Sequence, residues 1–169
     1  MPDQDSGHYV SHYSIAIDAP IEVVWENLID VGSWMYEFEL SLVSGMPGEE
    51  GEVRRLYDGQ DFLIEITKVI PNEVLVFANL PLSFNGEHST GVAVITLDKV
   101  NDRTKVRLTM SRRYSSESGA TNTQKSMRES AEFSERSKAM WQDRFLGKLK
   151  SLAETECRLL AAGGRCEYF

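Results

Sequence analysis

The sequence predicts an α+β fold in which a curved antiparallel sheet of about seven strands wraps around a long C-terminal helix, with two short helices after the first strand. Three patterns indicate this fold. The hydrophobic period changes from two to about 3.6 at Pro20, β-rich segments with short turns follow, and a broad apolar helical stripe comes near the end. A sheet and a helix that each have one apolar face bury both faces when they pack together.

The first predicted strand runs directly into a helix. Apolar residues alternate from Tyr13 to Ile17, as in a half-buried strand, and Pro20 stands where a first helical turn tolerates a missing N–H. The segment 24–29 then places Trp25 in an apolar stripe of helical period. A second apolar patch at 34–36 predicts another short helix or turn before the next strand.

The middle of the chain has the pattern of an antiparallel meander. Apolar, β-branched segments alternate with turn signals such as Asp58-Gly59. We predict strands at 38–43, 53–57, 62–70, 74–78, 91–100 and 105–114. One turn carries Gly45, Gly48 and Gly51 but lacks the Gly-Lys-Ser/Thr ending of a phosphate-binding loop. We interpret these glycines as turn residues that need a positive φ.

Two segments depart from this rhythm. Residues 79–90 contain Pro81 and Gly86 among exposed-looking apolar residues, so they are the best candidate for a lid. The C-terminal helix is predicted from about residue 123, and its pattern is weaker up to 139 because polar residues dominate there. Its apolar stripe consists of Trp141, Phe145, Leu149, Leu152 and Cys157.

The composition disfavours some partners. The chain of 169 residues has 18 basic and 26 acidic residues, and its net charge of −8 opposes attraction to nucleic acid or anionic membranes. The first residues are polar and acidic and no apolar run reaches spanning length, so we expect no stable membrane anchoring and a cytoplasmic protein. Cys157 lies in a helical pattern that makes a bridge to Cys166 awkward, so we expect free thiols.

A strand, the tripeptide Asp18-Ala19-Pro20 and a helix with Trp25 together form a family signature. On these residues the chain resembles the START-like superfamily of helix-grip proteins, which includes polyketide cyclases and pollen-allergen-like proteins. The resemblance extends over about 13–161. It implies a helix-grip fold with an internal cavity, in one START-like ligand-binding domain at 13–162 between a flexible tail at 1–12 and a tail at 163–169. It does not imply one ligand or reaction.

The resemblance also implies which side chains line that cavity. Related proteins carry an inward glutamate at the position of Glu65, and the same matching places Arg54 and Leu56 inside. Leu63 shares a strand face with Glu65. A charge in an apolar cavity must be paired, so Arg54 and Glu65 are the expected pair. The alternative leaves both residues on the solvent face of the sheet, and both interpretations remain open at this stage.

Four further candidate ligand-binding residues lie towards the predicted lid. Met110, Arg112 and Tyr114 continue one face of the strand at 105–114, at the wider end of the cavity. His88 lies in the lid segment itself. It either reaches the cavity mouth or is an exposed loop residue.

The helix supplies the last two candidates. Trp141 and Phe145 would form the helical wall of the cavity, unless they serve only as core packing. An apolar cavity with a few convergent polar groups suits a small hydrophobic or amphipathic molecule such as a lipid, an isoprenoid or an aromatic polyketide. Binding or carriage of such a ligand is the predicted function.

Two other functions remain open. An enzyme resembling polyketide cyclases or aromatases would use Glu65, Arg54, Tyr114 or His88 to steer proton transfers. A protein that acts on another macromolecule through its surface is suggested by the long polar segment before Trp141.

We expect no metal or other cofactor. His8 and His12 have a spacing that suits a metal site on a helix, but they lie in a tail or early strand where that spacing does not converge. Apolar residues on both faces of the strand at 62–70 leave room for a homodimer.

Overall fold

The fold was obtained as a computed structural model that describes residues 6–57, 61–84, 87–115 and 135–163, without the side chains of 6–9, 61–62, 80–84, 87–90 and 112–115. Its strands are β1 (Ser6–Ile17), β2 (Glu39–Ser44), β3 (Val53–Tyr57), β4 (Asp61–Ile70), β5 (Val74–Phe84), β6 (Glu87–Val100) and β7 (Arg103–Ser115). The helices are α1 (Ile21–Ile29), α2 (Val31–Trp34) and a long C-terminal helix at 135–162, which contains a π-helix (Ala139–Leu146) followed by α3 (Gly147–Ala162).

The described strands form one antiparallel sheet of seven strands in the order β1-β7-β6-β5-β4-β3-β2. Register shifts interrupt the pairings of β2 with β3, β4 with β5 and β5 with β6, and such bulges bend and twist a sheet. The long C-terminal helix packs on the concave face of this sheet. The predicted α+β helix-grip architecture, with two short helices after the first strand, is confirmed.

The concave face carries the core. Leu108 on β7 pairs with Tyr13 on β1 and Ile95 on β6, and all three are buried because their side chains share one face. The same alternation continues through Phe77 on β5 and Ile66 on β4. The row is therefore continuous across the sheet, which is why the apolar side of the helix can cover it.

The strand-to-helix junction at Pro20 has the predicted form. Pro20 is the N-cap of α1, and its carbonyl accepts the first helical bond from the N–H of Val24 at 3.1 Å. The buried hydroxyl of Thr104 on β7 donates to the carbonyl of Ala19 at 2.8 Å. This bond ties the junction to the sheet.

The sheet begins earlier than the sequence predicts. Ser6 pairs with Ser115 and the ladder runs without a break to Ile17 and Thr104. Residues 6–12, which the sequence assigns to a flexible tail, therefore form the first part of β1.

The prediction of a turn-like lid at 79–90 is wrong for the residues of this segment that the structure describes. β5 continues to Phe84 and pairs with β6 from Glu87, so the described residues of this segment are strands. Asn79, with a φ of 62°, lies in a bulge between Phe77 and Leu80 that lets the strand bend and continue. Beyond Ala78, β5 has no described partner on its β4 side, and such an edge tolerates Pro81.

The three glycines before β3 have the predicted role. Gly45, Gly48 and Gly51 have φ angles of 85°, 80° and 91°. A Cβ on Gly45 would lie 2.4 Å from the carbonyl oxygen of Gly51. The turn therefore excludes a side chain at Gly45 on both conformational and steric grounds.

Cys157 is disulfide-bonded, so the expectation of free thiols is wrong. Its partner lies outside the described residues. The helical position of Cys157, from which the sequence argument excluded a bridge, does not prevent one.

Most buried residues of the C-terminal helix recur every four residues, and Leu146, next to Phe145, is buried as well. This buried row consists of Ser137, Trp141, Phe145, Leu149, Ala153 and Cys157. In a regular α-helix of 3.6 residues per turn, such a row would wind around the axis. The π-helix at Ala139–Leu146 has wider turns, with i→i+5 hydrogen bonds, and these offset the drift of the α-helical turns. The whole row is buried, and its α3 part packs on α1, α2 and β1.

Candidate functional site

The polar centre of the concave face lies at the start of β3. Glu52, Arg54 and Leu56 alternate towards the interior, and Arg54 pairs in register with the buried Ile64 of β4. The side chain of Glu52 is 0% exposed and that of Arg54 is 16% exposed. An acid and a base are thus enclosed among apolar side chains.

The carboxylate of Glu52 is fully engaged. Its Oε1 atom accepts a hydrogen bond from Nε of Arg54 at 2.5 Å, and its Oε2 atom accepts one from the backbone N–H of Gly48 at 2.8 Å. A buried charge without such partners would be strongly destabilising. The glycine turn and β3 together hold this carboxylate in place.

The predicted pair of Arg54 with Glu65 is therefore wrong, because Arg54 pairs with Glu52. Glu65 lies opposite Val53 and alternates with the buried Ile64 and Ile66, so it points to the convex face. Leu63 points the same way and is 51% exposed. Simple alternation along β4 assigns both residues correctly, whereas the family resemblance does not.

An aromatic cluster lies between the helix and the sheet. We use this term for Trp34, Tyr36, Phe38, Phe77, Trp141 and Phe145. Phe145 lies at its centre, with ring centroids 5.1 Å from Trp141 and 5.3 Å from Phe38. Both contacts are edge-to-face, a favourable geometry for aromatic rings.

The helix adds two polar groups to this interior, the hydroxyl of Ser137 and the indole N–H of Trp141. The hydroxyl of Tyr13 donates to the buried Oγ of Ser137 at 2.7 Å. Trp141 lies four residues further along the helix and is 2% exposed. Among the described residues, its Nε1 atom has no hydrogen-bond partner. It is the one such buried side-chain nitrogen or oxygen among the described residues.

The concave face is more exposed towards the edge strand β2. Leu42 pairs with Arg54 and therefore faces inwards, yet its side chain is 45% exposed, whereas Leu56 in the next row is fully buried. Solvent thus reaches the interior next to Arg54.

The sequence profile of the family of Activator of Hsp90 ATPase homolog 1-like proteins matches residues 18–154. The chain belongs to this family. The match includes the junction at Pro20, Glu52, Arg54 and the aromatic residues of the helix, and the resemblance to the START-like superfamily is confirmed. No curated protein is significantly similar to the chain.

Solved structures support the fold of this family member. A protein of unknown function from Staphylococcus aureus is 14% identical, with a TM-score of 0.68, over 91% of this chain and 98% of its own. A Nitrosospira multiformis protein is 22% identical, with a TM-score of 0.59, over 89% and 99%. Truncated norcoclaurine synthase from Thalictrum flavum is 9% identical, with a TM-score of 0.58, over 92% and 97%. At these identities the similarity is one of fold.

The remaining candidate residues of this family member divide into two groups. Met110 is buried on the concave face of β7. The side chains of His88, Arg112 and Tyr114 lie outside the described residues.

Two further observations concern metals and membranes. Within the described parts of the chain, His, Cys, Asp and Glu side chains do not gather in groups of three or more that could hold a metal ion. In the same residues, no helix combines the length and apolar character needed to cross a bilayer.

Sequence reasoning missed Glu52 and Ser137. Glu52 had a usable signal, because it lies two residues before Arg54 and so shares its strand face. Ser137 had a similar signal, because it lies four residues before Trp141 and so shares its helix face.

Proposed function

We propose that this protein binds or carries a small hydrophobic or amphipathic ligand, such as a lipid, an isoprenoid or an aromatic polyketide, between the concave face of the sheet and the C-terminal helix. The fold and the family support ligand binding of this general kind. The aromatic cluster would contact the apolar body of the ligand.

The inward-facing guanidinium of Arg54 carries this proposal. The Nε atom of Arg54 donates to Glu52. Within the described residues, its Nη1 and Nη2 atoms have no hydrogen-bond partner. Trp141 Nε1 is the one buried side-chain nitrogen or oxygen without a partner among the described residues, so these two Arg54 donors are not sealed off and are available to a ligand. A polar head group entering beside Leu42 would accept those hydrogen bonds, and this favours an amphipathic ligand over a purely apolar one.

A cyclase-like enzyme is less well supported. Acid–base catalysis needs groups that face a space where a reacting atom can lie. Glu52 and Arg54 instead contact each other, as do Tyr13 and Ser137. Glu65 lies on the convex face, and the side chains of His88 and Tyr114 are not described.

Native mass spectrometry tests the proposal. The purified protein, after removal of copurified lipid, is mixed separately with dodecanoic acid, farnesol and emodin. We expect a 1:1 complex with at least one probe. The double variant Glu52→Gln/Arg54→Met, which removes both charges of the pair, should bind that probe about ten-fold more weakly, because the head group loses a charged donor.

The control is Arg55→Met, which removes a neighbouring exposed arginine on the convex face and should leave binding unchanged. Circular dichroism verifies that each variant is folded. Failure of all three probes to bind, or equal binding by the double variant and the control, would count against the proposal.

Three further expectations stay predictions. A homodimer would use apolar residues exposed on the convex face, such as Tyr57 and Leu63, and sedimentation velocity measures it directly. An interaction with another macromolecule was suggested by a polar segment that lies mostly outside the described residues. The disulfide at Cys157 argues against the predicted cytoplasmic location, because disulfide bonds persist mainly in oxidising compartments.

A further inference from the structure

The indole N–H of Trp141 is a buried donor without an acceptor. The residue is 2% exposed, and its Nε1 atom has no hydrogen-bond partner in the part of the chain that the structure describes. Leaving a buried donor unpaired costs about 1–3 kcal/mol. A phenylalanine would fill most of the same space without that cost. The tryptophan is therefore unfavourable here unless something outside the described residues supplies the acceptor.

The neighbouring buried polar groups show that this interior can satisfy a donor. Trp34, in the same aromatic cluster, donates its Nε1–H to the carbonyl of Leu28 at 2.9 Å. Tyr13 donates to Ser137 at 2.7 Å. Among these groups Trp141 alone lacks an acceptor in the described residues, although it lies only four residues, about one turn, from Ser137.

The backbone at Trp141 is also unusual. The residue lies within the π-helix Ala139–Leu146, and π-helical turns are rare and occur frequently at functional sites. Here the wider turn keeps Trp141 in the buried row of the helix. Its ring packs at 86° to that of Phe145, and Phe38 flanks it at 6.4 Å. A hydrogen bond formed among these rings would be shielded from water and strengthened accordingly.

We propose that Trp141 donates its indole N–H to a carbonyl oxygen of the bound ligand, and that the ligand is a ketone or related carbonyl compound with a flat apolar body. The inference rests on the proposed function, because it uses the same interior. A neutral acceptor suits the donor, since the indole supplies a dipole and no charge. A flat apolar body suits the edge-to-face rings of Phe38 and Phe145.

A matched pair of probes tests the inference. 2-Acetylnaphthalene carries the carbonyl, and 2-isopropenylnaphthalene replaces its oxygen with a CH₂ group of similar shape. We expect the protein to bind the ketone about five-fold to ten-fold more tightly than the alkene, the ratio that one hydrogen bond supplies. Trp141→Phe should bind both probes with equal affinity, because it retains an aromatic ring and lacks the donor.

The indole ¹H–¹⁵N signals provide a second readout on the unaltered protein. The chain has three tryptophans, so three indole signals are expected. The ketone should move the Trp141 signal downfield while the alkene does not. The Trp34 signal serves as an internal reference, because its N–H is already bound to Leu28. This measurement remains decisive even if Trp141→Phe does not fold.

The outcomes separate the two proposals. If both probes bind with equal affinity and neither moves the Trp141 signal downfield, the hydrogen bond is refuted and the ligand-binding function stands. If dodecanoic acid or farnesol binds while the naphthalene ketone and emodin, itself a flat ketone, do not, the carbonyl class is refuted alone. If no probe binds at all, both proposals are overturned.

Discussion

Glu52 and Arg54 form a charged pair in an otherwise apolar interior. The pair is stable because each charge has a close partner and because Gly48 donates a backbone hydrogen bond to the second carboxylate oxygen. Removing one member of a buried pair generally costs more than removing both, since the survivor is left as an uncompensated charge. The pair should therefore behave as one unit in mutagenesis.

We expect Glu52→Gln to lower the free energy of unfolding by about 3 kcal/mol, because Arg54 loses its counter-charge while it remains mostly buried. Chemical denaturation measures this change. The double variant Glu52→Gln/Arg54→Met should be closer to the wild type than Glu52→Gln alone.

Glu50→Gln is the matched control, because the Glu50 side chain is 50% exposed and lies near Lys68 in a surface ion pair. Its effect should stay within about 0.5 kcal/mol. An equally small effect of Glu52→Gln would show that Glu52 is not held inside the protein.

The need for such a pair could be predicted from the sequence, but its members could not all be identified. An inward arginine on a strand that also carries Leu56 requires a carboxylate nearby. The expected partner Glu65 rests on a family resemblance that runs against the alternation of β4, and Glu52 was not considered. The partner is Glu52, which lies directly before β3 and so at the same end of that strand as Arg54. The glycine turn brings its carboxylate and the Gly48 N–H together there.

At the level of elements, Glu154 connects α3 to the junction between β1 and α1. Its Oε1 atom accepts hydrogen bonds from Nζ of Lys150 at 2.5 Å and from the backbone N–H of Asp18 at 3.0 Å. Partial burial raises the pKa of the Glu154 carboxyl. The bonds from Lys150 and Asp18 and the charges of Lys150 and Arg158 outweigh it, so the net pKa lies below its ordinary value of 4.5.

This lowered pKa predicts a pH-dependent contribution to stability. The carboxylate contributes fully above pH 4.5, and the contribution is lost as the pH falls through the lower pKa of the folded state. Glu154→Gln should therefore lower the free energy of unfolding by about 1 kcal/mol at pH 7, allowing for partial solvent screening. The difference between variant and wild type should shrink as the pH falls below 4.5.

Urea denaturation at pH 7 and at about pH 3 measures both values. Glu26→Gln, on the exposed face of α1, is the control and should change stability by less than about 0.5 kcal/mol at either pH. A difference for Glu154→Gln that is constant with pH would contradict the assigned role of the carboxylate.

The positions of the helices and strands were predicted from the sequence better than their ends and bends. The strands, the Pro20 junction and the glycine turn follow from local chemistry, so they were predicted correctly. The segment after Ala78 was not, because Asn79 and Pro81 signal a turn and instead form a bulge and a tolerated edge position. The π-helix was not predicted either, although the four-residue spacing of Trp141, Phe145 and Leu149 is consistent with it.

For the whole molecule, the central claim is that a ligand lies between the sheet and the C-terminal helix. The fold was predicted from pattern and resemblance, since burial of one sheet face and one helix face leaves few alternatives. The chemistry of the interior was harder to predict. It depends on which side of a strand or helix Glu52, Ser137 and Trp141 face, and hence on register and on the width of helical turns.

Nuclear Overhauser contacts between methionine methyl groups and a bound ligand test this claim most directly. The protein is ¹³C-labelled at the methionine methyl groups and mixed with whichever of dodecanoic acid, farnesol or emodin binds most tightly. Met110, which is 4% exposed on the concave face, should show contacts with the ligand, whereas Met46, which is 63% exposed in the glycine turn, should show none. Contacts at Met46 with none at Met110 would place the ligand on the surface and contradict the account.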